Sequence, residues 1–196
     1  MEERMIRYRI FRVVLGGLYK FWYNPKVYGK ENIPNDGPVI IAGNHIHIMD
    51  QCNVIISTKR CIHYMAKKEY FDNKKVAWFF KSAHCIPVDR SKHDDAAKVA
   101  GLEVLNKKEA LGIFPEGTIN RTDDIIMPFK IGAVKACHDT NTKLVPFIIT
   151  GKYRLFRKGI KVEFLKPIKI GDDLTKENEK FMKIVSKKLE ESKHEW

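Results

Sequence analysis

Nowhere does the sequence offer the run of ~20 apolar residues, free of charge, that a membrane-spanning helix needs. Its apolar first 23 residues are interrupted by Arg4, Arg7, Arg9, Arg12 and Lys20. A cleavable signal pattern is also missing, so the chain is expected to lie on a bilayer rather than cross it. Cysteine is scarce: Cys52, Cys61, Cys85 and Cys137 form no CxxC pair, which argues against a zinc knuckle or a redox couple. Cys52, Cys85 and Cys137 sit in or beside apolar segments and read as reduced core thiols, suited to a cytosolic compartment. Acidic side chains are too few to balance the basic ones, 24 against 36, leaving a net charge of +12. That excess favours polyanionic partners such as an anionic membrane surface or phosphorylated substrates. Repeats and low-complexity tracts are absent. At 196 residues the chain is too short for a (β/α)₈ barrel of about 250 residues, yet long enough to bury a core without disulfides.

What is present alternates. Wholly apolar runs recur at 39–42, 61–65, 85–88, 111–114 and 144–149, each short enough for a strand buried on both faces. Helical patterns lie between them at 74–82, 94–108 and 131–139, with a later strand or hairpin arm at 160–170 and a closing helix at 176–193. The alternation predicts an α/β fold: a single domain with a mixed, mainly parallel sheet flanked by helices. Residues 4–22 form one further helix. Arg9, Arg12, Gly16 and Lys20 share one side, while Ile10, Phe11, Val14, Leu15, Leu18 and Phe21 cover the other, and Trp22 and Tyr23 follow. A basic, aromatic-edged amphipathic helix suits anionic lipid, although packing on its own domain is the plainer alternative. The division expected is 1–24 as a membrane-associating helix and 25–196 as the catalytic domain.

Three constellations stand at strand ends, where ligands bind in open α/β sheets. The first is Gly43-Asn44-His45-Ile46-His47-Ile48-Met49-Asp50. A helix starting near His47 would turn Asp50 back onto the His45 ring, giving a general base whose tautomer a carboxylate fixes. A capping Asn and His at an ordinary turn is the alternative. The second is Phe114-Pro115-Glu116-Gly117-Thr118, followed by Arg121 and Lys130; free amides at such a turn can hold a phosphate oxygen. The third is Val88-Asp89-Arg90, whose guanidinium fits a phosphate through two hydrogen bonds. Val145-Pro146 and the Thr150-Gly151 strand end read as structural. Lys152, Arg154, Arg157, Lys158 and Lys161 make a second basic cluster, fit for anionic lipid or an acidic carrier protein.

Taken in order, these blocks resemble those of the 1-acylglycerol-3-phosphate acyltransferase (lysophosphatidate acyltransferase) family of the glycerolipid acyltransferases. Asn44-His45 to Asp50 matches its NHxxxxD block, and Val88-Asp89-Arg90 the block ending in arginine. Phe114 to Thr118 matches FPEGT, Phe129-Lys130-Ile131-Gly132 the FKxG stretch, and Val145-Pro146 the Val-Pro step. The likeness spans roughly residues 25–170. It implies transfer of a fatty acyl group from an acyl-carrier-protein or coenzyme A thioester to the sn-2 hydroxyl of 1-acylglycerol-3-phosphate, giving phosphatidate. His45 and Asp50 are then the catalytic pair, without a covalent intermediate, metal or cofactor beyond the thioester. Arg90, Glu116, Gly117, Thr118, Arg121 and Lys130 are the candidates for acceptor binding. The expected location is the cytoplasmic face of the cell membrane, peripheral or monotopic. Two positions depart from the pattern. His47 stands where relatives commonly have Ser or Thr, and Ile119 where they commonly have Arg, so that Arg121 or Lys130 must supply that phosphate contact.

Two rival readings remain at this stage. His45-Ile46-His47 with Asp50 is a legitimate ligand set for a metal hydrolase, but His63, His84, His93, His138 and His194 are scattered in sequence. A basic nucleic-acid or membrane-binding module is the other. No helix-turn-helix, zinc-finger or RRM signature supports nucleic acid as a partner.

Overall fold

Every residue of strand β2 (Val39–Gly43) is buried, and the sheet is built around it. The computed structural model describes residues 2–89, 94–156 and 159–193. Strand β1 (Lys26–Tyr28) precedes β2; β3 (Ile62–Lys67), β4 (Ile86–Val88), β5 (Ala110–Ile113), β6 (Lys143–Gly151) and β7 (Ile160–Phe164) follow. Their order across the sheet is β1-β7-β6-β2-β5-β3-β4. From β6 to β4 all neighbours run parallel, whereas β7 pairs antiparallel with β6. The sheet is therefore mixed and mainly parallel.

Burial on both faces explains the unbroken apolar runs. Ile40 and Ala42 join Leu111, Leu144 and Ile148 on one face, beneath α5 (Asp95–Asn106), α6 (Gly132–Asp139) and α7 (Leu174–Lys193). Val39 and Ile41 join Ile62, Val145, Phe147 and Ile149 on the other, where Val54 of α2 (Asp50–Ser57) packs. Neighbouring strands β2 and β5 thus send their following helices to opposite faces. That reversal opens a crevice at their carboxyl ends.

The helices expected from periodicity are present, with ends that agree or move by at most two residues. Asp94 caps α5, its Oδ1 accepting from the Ala97 amide at 3.1 Å. The 160–170 arm is shorter than its pattern: the strand stops at Phe164, and Ile168 bridges back to Leu144. The three-residue edge strand β1, held in register by β7, carries too few residues to declare itself in sequence.

Helix α1 (Glu2–Tyr23) docks by its narrow side. Tyr8 and Tyr19 are buried, and Gly16 lies so close to α2 that a Cβ there would fall 3.0 Å from Ile56. Arg12 donates to the Thr58 carbonyl at 3.1 Å. The wide apolar side points outward: Ile6, Ile10, Val13, Val14, Leu18 and Phe21 are all exposed, Phe21 by 70%. Phe11 continues this surface onto Trp78 and Phe79 of α4 (Lys74–Ser82), and Phe21 packs edge-on against Phe156. No helix among the described residues is long and apolar enough to cross a membrane.

Candidate active site

The loop after β2 is clamped before it reaches its chemistry. Asn44 fills both hydrogen-bonding positions of Ile149 in β6, donating to the carbonyl at 2.9 Å and accepting from the amide at 2.8 Å. Glu116, from the loop after β5, accepts from the His45 amide at 2.7 Å and the Met127 amide at 2.9 Å. The Asn120 amide donates to the His45 carbonyl at 2.7 Å. His45 is thereby fixed between two strand-end loops, with its ring stacked 4.0 Å above Phe114.

Asp50 opens α2, and its carboxylate turns back onto this loop as the HxxxxD spacing predicts. Oδ2 lies 2.8 Å from His45 Nδ1 and accepts from the amides of Ile46 at 2.6 Å and His47 at 2.8 Å. Oδ1 accepts from the Tyr153 hydroxyl at 2.5 Å. The carboxylate is fully buried, and four donors compensate its lost hydration. Because a carboxylate only accepts, Nδ1 of a neutral His45 carries the proton and Nε2 the lone pair. Nε2 has no partner among the described residues, and 15% of the side chain is exposed.

Behind Asp50 runs a second line of hydrogen bonds. Asn53 donates to the Tyr153 oxygen at 2.7 Å, and Tyr19 of α1 donates to Asn53 at 2.8 Å. Burial, and next the Asp50 charge, push the Tyr153 phenol far above its ordinary range, so it stays a donor. Its ring also stacks on His47 at 4.1 Å. Sequence reading missed Tyr153, Asn53 and Tyr19. Tyr153 sits 103 residues from its partner, in a stretch that reads only as basic.

The anion-binding candidates separate. Glu116 is buried, each of its oxygens accepting from a backbone amide, and through one of them it braces His45. The Gly117 amide is likewise committed, closing the turn on the Phe114 carbonyl at 3.0 Å. Gly117 itself has φ of 77°, and a Cβ there would fall 2.7 Å from Lys130 Nζ. That glycine lets the ammonium lie over the turn. Thr118 and Arg121 are exposed on the same loop. Arg90 lies outside the described residues, as do Arg157 and Lys158 of the second basic cluster. Lys161 leaves that cluster: it lies 3.7 Å from Glu163 and over the Tyr28 ring. His47 does not join His45 as a ligand pair, because its Nδ1 accepts from the Met49 amide at 3.2 Å.

With this geometry in view, the comparisons are specific. A family model described as Acyltransferase matches residues 24–150. The 1-acyl-sn-glycerol-3-phosphate acyltransferase of Bacillus subtilis is 38% identical over 138 residues, 68% of this chain and 68% of the relative. Those of Borreliella burgdorferi and Saccharomyces cerevisiae are 35% and 31% identical, over 68% and 87% of this chain but only 54% and 57% of their own lengths. The crystal structure of the 1-acyl-sn-glycerophosphate acyltransferase PlsC from Thermotoga maritima superposes with a TM-score of 0.76 at 21% identity, covering 98% of this chain and 80% of that one; at that identity it establishes the fold alone.

Proposed function

The chain belongs to the acyltransferase family that includes the 1-acyl-sn-glycerol-3-phosphate acyltransferases, and from that premise we propose that it acylates the sn-2 hydroxyl of 1-acylglycerol-3-phosphate, forming phosphatidate. The donor is a fatty acyl thioester of acyl-carrier protein or coenzyme A. The observation that carries this reading is the buried Asp50 carboxylate held 2.8 Å from Nδ1 of a part-exposed His45.

In this mechanism the acceptor hydroxyl approaches His45 Nε2. The ring takes its proton as the oxygen attacks the thioester carbonyl, and Asp50 stabilises the imidazolium that forms. The tetrahedral adduct then collapses: the C–S bond breaks, and the thiolate leaves with the proton that His45 returns. A thioester is already activated, so the protein needs no covalent acyl-enzyme. Holding the hydroxyl against the carbonyl supplies most of the remaining advantage. Lys130 over Gly117, with Arg121 and Arg90, is suited to grip the acceptor's phosphate for that purpose.

Both substrates carry long apolar chains, which favours a site at a lipid surface. We assign that contact to the outward side of α1, with Phe156 and Trp78 beside it. The protein then lies on the cytoplasmic face of the cell membrane as a peripheral or monotopic enzyme, with residues 25–196 as its catalytic part. Lysine and arginine around this face add attraction to anionic headgroups.

The decisive assay follows thiol release from acyl-carrier-protein and coenzyme A donors of graded length, against a panel of lysophospholipids. Thiol release that requires 1-acylglycerol-3-phosphate and is lost in His45→Ala, with circular dichroism unchanged, is expected. Full activity of His45→Ala, or indifference to this acceptor, overturns the reading.

A further inference from the structure

A second gathering of reactive side chains lies at the other end of the sheet. Cys61 precedes β3, His63 is its second residue, Glu109 precedes β5, and His84 stands two residues before β4. β5 runs parallel to β2, β3 to β5 and β4 to β3, so the group occupies the amino end, whereas His45 occupies the carboxyl end. In sequence His63 and His84 are isolated. In space, one donor atom from each of Cys61, His63 and His84 lies within 4.8 Å of the others, and the two imidazoles meet edge to face at 5.4 Å.

A neutral His63 cannot serve both of its neighbours. Its Nδ1 lies 3.0 Å from the His84 carbonyl oxygen, and its Nε2 lies 2.9 Å from Glu109 Oε2. Both neighbours accept and neither donates. A neutral imidazole has one N–H, so one acceptor faces a lone pair. The carbonyl on Nδ1 is the outer partner that metal-bound histidines commonly keep, leaving Nε2 as ligand. His84 Nε2 is also buried, without a hydrogen-bond partner among the described residues.

We propose that Cys61, His63 and His84, with Glu109 as fourth ligand, form a structural zinc site at the amino end of the sheet. One thiolate, two imidazoles and one carboxylate suit zinc's borderline softness and tetrahedral preference. Bonds of about 2.0–2.3 Å need the Cys61, His63 and His84 donors about an ångström closer together than 4.8 Å, and Glu109, 2.9 Å from His63 Nε2, must turn its carboxylate from the imidazole to the ion. The ion ties the starts of β3 and β5 to the turn before β4. It does so directly beneath Tyr8 of α1, whose ring packs edge-on to His84 at 5.9 Å and whose hydroxyl accepts from the Ile62 amide at 3.1 Å. The site would therefore also firm the seat on which the amino-terminal helix rests.

The test uses the whole purified chain, stripped with chelator and titrated with zinc or cobalt(II) alone. We expect one zinc per chain by elemental analysis, a Tm that climbs with free zinc, and a cobalt spectrum with tetrahedral visible bands and thiolate charge transfer. Cys61→Ser removes the charge-transfer band and His84→Ala weakens binding at least tenfold, while Cys137→Ala, at a thiol in the opposite core, keeps both signals. A wild-type chain that binds neither ion, with no thiolate band, overturns the site. Equal binding by Cys61→Ser and His84→Ala overturns it too. Because the wild-type cobalt titration decides alone, a variant that fails to fold does not protect the proposal. None of these readouts depends on acyl transfer.

Discussion

Tyr153 donates to Oδ1 of Asp50 at 2.5 Å, on the side of the carboxylate away from His45, which meets Oδ2 at 2.8 Å. His45 is thus oriented by a group that is itself held in place. The line continues through Asn53 to Tyr19 on the outermost helix.

Tyr153→Phe keeps the ring stacked on His47 and deletes the donor to Asp50. A buried acceptor, Asp50 Oδ1, loses its donor and Asn53 Nδ2 loses its acceptor, each at a cost of about 1–3 kcal/mol. If Tyr153 acts through Asp50, kcat falls about tenfold with KM nearly unchanged, the signature of a loss felt at the transition state. A drop in Tm with kcat unchanged would leave Tyr153 a purely structural role.

Asp50→Asn keeps the size of the side chain but presents an amide to groups that mostly donate. His45 loses the carboxylate that fixes its tautomer. We expect kcat to fall roughly 10²–10⁴-fold, together with a lower Tm, because Asp50 also holds the Ile46 and His47 amides. Calorimetry and steady-state kinetics on one preparation check both.

Burial raises the Glu116 carboxyl above the ordinary glutamate range, outweighing the two amides that favour its charged form. Folding therefore favours protonated Glu116. That contribution is complete below the ordinary glutamate pKa and is lost as pH rises through the folded value. Glu116→Gln does not titrate. The Tm difference between variant and wild type should move in the variant's favour as pH rises across that window, around a constant offset from the lost amide contact. A difference flat in pH refutes the assignment.

Lys130→Ala and Arg90→Ala should each raise KM for 1-acylglycerol-3-phosphate by about tenfold, one charged hydrogen bond being worth roughly 1.5–3 kcal/mol. A phosphate-free monoacylglycerol acceptor should be used as by the wild type. Equal losses on both acceptors would remove phosphate gripping from these residues.

Phe21→Glu combined with Phe156→Glu should lower partitioning onto phosphatidylglycerol vesicles by about tenfold or more, since each ring withdrawn from lipid forfeits roughly 1.5–3 kcal/mol. Co-sedimentation measures this directly. Vesicle binding equal to the wild type would place the lipid contact elsewhere.

Much of this was legible in the residues. The all-apolar run at 39–42 announced a strand buried on both faces, and the four residues between His45 and Asp50 allowed one turn to bring them together. Local spacing could not report Tyr153 or the Asn44 clamp, whose partners lie 103 and 105 residues away. Nor could it show that Glu116 is spent on the amides of His45 and Met127, and the Gly117 amide on the Phe114 carbonyl of its own turn, because composition does not reveal which polar groups folding has already satisfied. For α1, sequence set a basic side with Gly16 against an apolar one, but only packing showed that Tyr8, Gly16 and Tyr19 face the domain while Arg9 and Lys20 stay exposed.

The hold of Asn44 on Ile149 also sets a timetable. A strand from the first quarter of the chain waits, during synthesis, for one delivered after three quarters of it has emerged. Until that late strand slots into the sheet, the histidine loop lacks the fastening that Asn44 provides, and only Glu116, Asn120 and Asp50 hold it. Nascent or truncated chains ending before residue 149 should be inert towards thioesters, so that the enzyme becomes reactive only once its sheet is nearly whole.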